Sequence, residues 1–163
     1  MTAAEAIARA RSAIGHDCIY ALGHGGMDPT TPVPWDLPAK TCDCTGFLAW
    51  CIGRSRKTSD PVYNEWSGGW LNSAAIFRDT QDPRGVFELQ AWKDAKPGFI
   101  LVFAAVPHGH VGLVSEVGPE GPVKVIHCSH GNYKHHGDAI LETDPSVFQH
   151  NGAVLASCAW IQG

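Results

Sequence analysis

The sequence predicts an α+β fold in which N-terminal helices pack on a central antiparallel sheet. Three observations predict it. Two helix signals, over Thr2 to Ile14 and over residues 44–53, lie ahead of residue 54. After Pro97-Gly98 the character changes to short apolar runs divided by Gly/Pro turns, the pattern of an antiparallel meander. No repeat, low-complexity tract or domain linker interrupts the 163 residues, so 1–163 is expected to be one domain.

The elements follow in order. Thr2 and Glu5 have capping-box spacing, and Ala3, Ile7, Ala10 and Ile14 share a helical face, so a helix is expected over Thr2 to Ile14. Glu5 and Arg9 stand four apart as an ion pair, and Gly15 can stop the helix. Residues 16–43 hold Gly23, Gly25, Gly26, Pro29, Pro32, Pro34 and Pro38 and read as loop. Residues 44–53, CTGFLAWCIG, form an apolar helix opening after Asp43, with Phe47, Leu48 and Cys51 at helical spacing. Residues 54–69 are polar and rich in Gly and Ser. Residues 70–78 and 86–93 read as helical or turn-rich. Phe99 to Val106, Val111 to Val117 and Val123 to Cys128 read as successive strands, and Ala139 to Glu142 and Ala153 to Ile161 supply two more.

Composition narrows the function. Hydrophobic residues make up 44% and charged residues 17%, and the chain holds six Trp, which excludes a disordered chain. Twelve basic residues against 16 acidic ones give a net charge of −4, which does not provide the basic surface of a nucleic-acid binder. No apolar run approaches the roughly 20 residues of a membrane-spanning helix. Six Cys in a chain this long are too few for a disulfide scaffold and are expected as mostly reduced thiols. The N-terminus lacks the basic start and continuous apolar stretch of a secretory signal. The expectation is a protein that stays in the cytoplasm that makes it or leaves by a route without a cleaved signal.

The sharpest chemical feature is Asp43-Cys44-Thr45-Gly46 at the start of the apolar helix. A Cys there faces the positive end of the helix dipole and unpaired N–H groups, which favour thiolate and can also hold an oxyanion. Gly46 would let substrate or a neighbouring strand approach closely. A Cys nucleophile needs a base, and His110 opens the strand His110-Val111-Gly112-Leu113-Val114. The base needs an orienting group on its other ring nitrogen, and the next strand offers His127 and, just beyond it, His130. If the hairpin opposes His110 to Ser129, His127 is the diagonal neighbour. A shift of one residue opposes His110 to His130 instead.

Cys44 in Asp-Cys-Thr-Gly-Phe, His110 in His-Val-Gly-Leu-Val and His127 in Val-Ile-His together resemble the NlpC/P60 cysteine peptidases of the papain-like superfamily. Tyr20-Ala21-Leu22-Gly23 resembles the family's Tyr-x-x-Gly segment, and Lys96-Pro97-Gly98 its Pro-Gly-Asp segment, with Phe99 in place of the Asp. The resemblance implies a papain-like α+β fold with Cys44 as nucleophile, His110 as base and His127 as the group that orients it. Tyr20 would stand beside the thiol, near the oxyanion or a polar end of the substrate. The implied reaction is amide hydrolysis through a thioester, with no cofactor, on peptidoglycan stem peptides. A wall hydrolase made without a signal would fit a phage lysin, a virion component or an exported effector, and an effector would need an inhibitor or immunity protein in the producing cell.

Three rival readings remain at this point. Cys42-x-Cys44, His108-x-His110 and His127-Cys128-x-His130 could ligate zinc. Trp66 and Trp70, expected as core residues, could instead form an aromatic patch of a non-catalytic binding module. A papain-like site also runs acyl transfer or deamidation, because an amine can capture the thioester as well as water.

Overall fold

The computed structural model describes residues 1–162. Helix α1 (Ala3–Ser12) opens on the expected capping box: the Thr2 hydroxyl accepts from Glu5 N–H at 3.2 Å, and the Glu5 carboxylate accepts from Thr2 N–H at 2.7 Å. The expected Glu5–Arg9 pair does not form, because Glu5 is turned back to cap its own helix. Arg9 instead donates to Pro29 O at 2.7 Å and lies 4.2 Å over the Trp50 ring. Strands β1 (Ile19–Tyr20) and β2 (Thr41–Cys42) pair in parallel, Tyr20 against Cys42, and frame the loop that the Gly/Pro content predicts.

Helix α2 (Cys44–Cys51) is buried over its whole length, as its unbroken apolar sequence requires. Helix α3 (Pro61–Ser67) lies inside the polar, Gly- and Ser-rich segment 54–69. Its signals are local: Asp60 accepts from the N–H groups of Val62 and Tyr63, Pro61 takes the first turn, and Gly68 closes the end at φ 62°. Helix α4 (Ser73–Asp79), capped by Asn72, falls in the expected region.

Residues 86–93 are a correction. They hold strand β3 (Phe87–Gln90), followed by a 3-10 turn at Trp92–Asp94, and not a helix. The strand exists because Phe87 to Gln90 pairs with residues 155–158 at the far end of the chain, a partner that no local pattern reveals. Then come β4 (Ile100–Phe103), β5 (His110–Gly118), β6 (Gly121–Cys128), α5 (His130–His136), β7 (Ile140–Thr143), α6 (Ser146–His150) and β8 (Val154–Cys158). Among the described residues the main sheet has the order β3-β8-β4-β5-β6-β7, antiparallel throughout. The meander β4 to β7 is as expected. β8 departs from it, returning across the sheet to lie between β3 and β4.

The sheet has two covered faces. Val102, Val111, Leu113 and Ile126 pack under α1 to α4 in the main core. Leu101, Phe103, Val114 and Val125 pack on the opposite face around Phe148 of α6. The fold is therefore α+β with most helices on one face, and the start of β5 lies where the two layers can meet at one end of the sheet.

Gly46 serves a close approach, though of a loop and not of a strand or substrate. A Cβ there would stand 2.6 Å from the carbonyl oxygens of both His24 and Gly25. Those carbonyls are held in place: Arg56 Nη1 donates to His24 O at 2.7 Å and to Gly25 O at 3.3 Å. Ala would gain about 1 kcal/mol in helix propensity. The clash with fixed backbone outweighs this, and Gly46→Ala should destabilise the fold by roughly 1–3 kcal/mol. Urea unfolding measures it, and unchanged or higher stability would show that the loop yields.

Candidate active site

The site is built from the first turn of α2 and the first residues of β5. Asp43 caps α2: its Oδ1 accepts from Gly46 N–H at 2.8 Å and from the Thr45 hydroxyl at 3.2 Å. Its Oδ2 accepts from Gly23 N–H at 2.7 Å and from Arg56 Nη2 at 2.9 Å. Both side chains of this ion pair are buried. Arg56 sits in the polar stretch 54–69 and is a residue the sequence reading missed. It stands in a polar run with Arg54, Ser55 and Lys57, and nothing local marks it as the buried one.

Cys44 follows Asp43 and lines a cleft of about 580 Å³ together with Tyr20, Leu22, Arg56 and Trp70. The Val111 N–H, next to His110, lies near enough to the Cys44 Sγ to favour the charged form. The expected thiolate is reversed by the surroundings. Burial, then the adjacent Asp43 carboxylate, push the Cys44 thiol up to about 12, and the N–H groups of Val111 and Thr45 only partly oppose this. Cys44 therefore rests as a neutral thiol. Burial, then the neighbouring Cys44, also hold the Tyr20 phenol well above its usual range, so Tyr20 presents a neutral hydroxyl to the cleft.

His110 pairs with Phe103 across the ladder and stacks on Phe148 at 5.1 Å, so its ring lies on the α6 side of the sheet, opposite to α2. The β5–β6 register sets Leu113 against Ile126 and Val114 against Val125. Continued to the strand start, it opposes His110 to Ser129, the first of the two expected alignments. His127 is thus the diagonal neighbour, and His110 Nε2 lies 2.7 Å from His127 Nδ1. His127 Nε2 lies 3.0 Å from Thr143 Oγ1. His130, the alternative, is exposed at the start of α5, with its ring 6.0 Å from that of Tyr20.

The structure thus brings His110 and His127 together and places Tyr20 with Cys44. It forms no hydrogen bond between Cys44 and His110. Cys44 lines the cleft and His110 a second cavity of about 490 Å³, and His108 and Gly109 line both. Gly112 makes the His arrangement sterically feasible: a Cβ there would lie 2.7 Å from Phe148 Cζ and 3.2 Å from His127 Cβ.

The remaining expectations fall out as follows. All six cysteines are free and buried. Among the described residues no three His, Cys, Asp or Glu side chains are grouped as a metal site would need. Trp66 and Trp70 are not core residues. Trp66 is half-buried under Arg78, whose guanidinium carbon lies 4.7 Å from the ring centroid, and Trp70 is exposed on the cleft rim. No helix among the described residues is long and apolar enough to cross a membrane.

The family model described as CHAP domain matches residues 34–132, more than half of the chain. The matched span contains Cys44, His110 and His127 and excludes Tyr20 and Thr143. No curated protein matches the chain. A solved structure titled "The crystal structure of Ly7917" aligns with 98% of this chain at 15% identity and a TM-score of 0.46, and the chain spans 63% of that one.

The buried imidazoles predict a pH-dependent stability. Burial, with His127 beside it, holds His110 down at about 3 against an ordinary 6.5. Burial alone holds His127 down at about 4. In the unfolded chain both titrate near their ordinary value, so between pH 6.5 and 4 the unfolded state binds protons that the folded state refuses. Their contribution is whole above that window and is lost as pH falls through it, at roughly 1 kcal/mol or more per pH unit. Urea midpoints measured from pH 7 to pH 4 should fall accordingly. The double variant His110→Gln/His127→Gln should flatten the slope, and parallel slopes would place these rings in water.

Proposed function

The chain belongs to the CHAP domain family, whose domains occur in NlpC/P60-like amidases and peptidases, and on that premise we propose that it is a cysteine hydrolase cutting an amide bond in peptidoglycan stem peptides. The observation that carries the reading is the convergence at the start of β5. There the Val111 N–H meets the Cys44 sulfur, and the adjacent His110 ring is hydrogen-bonded to His127 at 2.7 Å.

In the proposed reaction the substrate lies in the cleft over Cys44. His127 engages Nε2 of His110, which leaves Nδ1 to take the thiol proton. The resting pair is neutral thiol and neutral imidazole, so proton transfer accompanies attack and does not precede it. Sulfur bonds to the amide carbon, and the oxyanion is held by N–H groups at the start of α2 and by the neutral Tyr20 hydroxyl. His110 then returns the proton to the leaving amine. Water, deprotonated by the same nitrogen, attacks the thioester carbon, the C–S bond breaks to release the acid, and His110 returns that proton to the Cys44 sulfur. Cys44 and His110 stand on opposite sides of β5 in the free chain, so proton transfer between them requires the Nδ1 edge of His110 to reach the cleft once substrate is bound.

The experiment is digestion of purified peptidoglycan fragments with product masses read by mass spectrometry. Peptide release between the second and third stem residues would identify an endopeptidase, and release of the whole stem from the sugar an amidase. Cys44→Ala and His110→Ala should each remove the products, with a loss of about 10³-fold or more, while the chain stays folded by circular dichroism. His108→Ala, exposed on the rim, should retain activity. Full loss there and none at His110 would move the base to His108. No product from any wall fragment would reject the wall substrate.

A further inference from the structure

We infer that Thr143 is a positioning residue that fixes the proton arrangement of both histidines and so keeps His110 Nδ1 unprotonated and available as a base. The base role rests on the hydrolase reading above. The proton arrangement itself rests on three hydrogen bonds that run diagonally across β5, β6 and β7.

The ladder sets His127 against Leu141 and Val125 against Thr143, so Thr143 is the diagonal neighbour of His127 on β7, as His127 is of His110 on β6. The direction of the chain is fixed at its far end. The Thr143 hydroxyl donates to the Asp144 carbonyl oxygen at 2.9 Å. A hydroxyl has one proton, and with that proton committed it can only accept from His127. His127 Nε2, 3.0 Å away, must then carry the hydrogen. Both rings are buried and neutral, and a neutral imidazole carries one N–H, so His127 Nδ1 is a lone pair. It accepts from His110 Nε2 at 2.7 Å, which leaves the lone pair of His110 on Nδ1.

The reverse arrangement would withdraw the Thr143 proton from the exposed Asp144 carbonyl, which would then depend on solvent for a donor. It would also place the His110 proton on Nδ1, where a thiol proton could not be received. In the reaction the thiol S–H breaks and the Nδ1–H of His110 forms. The resulting cation keeps its Nε2–H on the lone pair of His127, and no proton passes on to Thr143. Replacing Thr143 by Val keeps the branched shape that suits a strand but removes the only feature that distinguishes the two tautomers of His127.

The test is the tautomer itself. In the intact chain labelled with ¹⁵N-histidine, long-range ¹H–¹⁵N spectra at pH 7 should show protonated Nε2 and bare Nδ1 for both His110 and His127. Thr143→Val should mix or invert these assignments, and Thr143→Ser should restore them. On wall fragments, Thr143→Val should lower kcat by about 10- to 100-fold with KM changed by less than about twofold, whereas a general loosening of the fold would leave the tautomers as they were. A wild-type His127 protonated at Nδ1, or a Thr143→Val variant with unaltered spectra and kcat, overturns the inference. If Thr143→Val does not fold, the wild-type and Thr143→Ser spectra decide alone. If wild-type protein cuts no wall fragment, the hydrolase reading fails while the spectra still decide the proton chain.

Discussion

The buried ion pair between Asp43 and Arg56, 2.9 Å long, is the interaction on which the rest of the site depends. A buried pair of charges is tolerated only when further hydrogen bonds fill the remaining valences, and here almost all are filled. Asp43 caps the helix that begins with Cys44 and holds Gly23. Arg56 binds the carbonyls of His24 and Gly25 and the hydroxyl of Thr45. One carboxylate and one guanidinium therefore fix the loop in front of Cys44, the first turn of its helix and one wall of the cleft. Loss of either partner would leave the other charge buried and alone, at a cost of about 3–5 kcal/mol.

Burial first, and the Asp43 carboxylate second, explain why the thiol rests protonated. Asp43 stabilises the helix start through its negative charge, and that charge lies beside the sulfur. The Cys44 thiol on one side of β5 and the His110 ring on the other are both buried and neutral, so neither charge has to be desolvated in the resting chain.

On the other side of the sheet, packing does what charge does near Cys44. Phe148 stacks on His110 and meets His127 edge-on at 5.3 Å, and the missing side chain at Gly112 gives that ring its place. The imidazoles are thus clamped by an aromatic ring on one side and by strand geometry on the other. Their hydrogen bonds then set direction within a position that packing has already fixed.

What the sequence by itself determined was local. The Thr2/Glu5 capping box, the Asp43-capped apolar helix and the runs of β4 to β7 are written in neighbouring residues, and each forms where its pattern lies. The candidates Tyr20, Cys44, His110 and His127 were legible for the same reason, since each stands in a short motif. The tertiary structure alone decided the rest. β3 is a strand because β8 returns to pair with it, the hairpin register selects His127 as the neighbour of His110, and Arg56 and Thr143 matter through partners 13 and 16 residues away. Burial also reversed the expected thiolate, because the desolvation of a charge depends on everything packed around it, and a helix N-terminus read from sequence reports only the favourable part of that field.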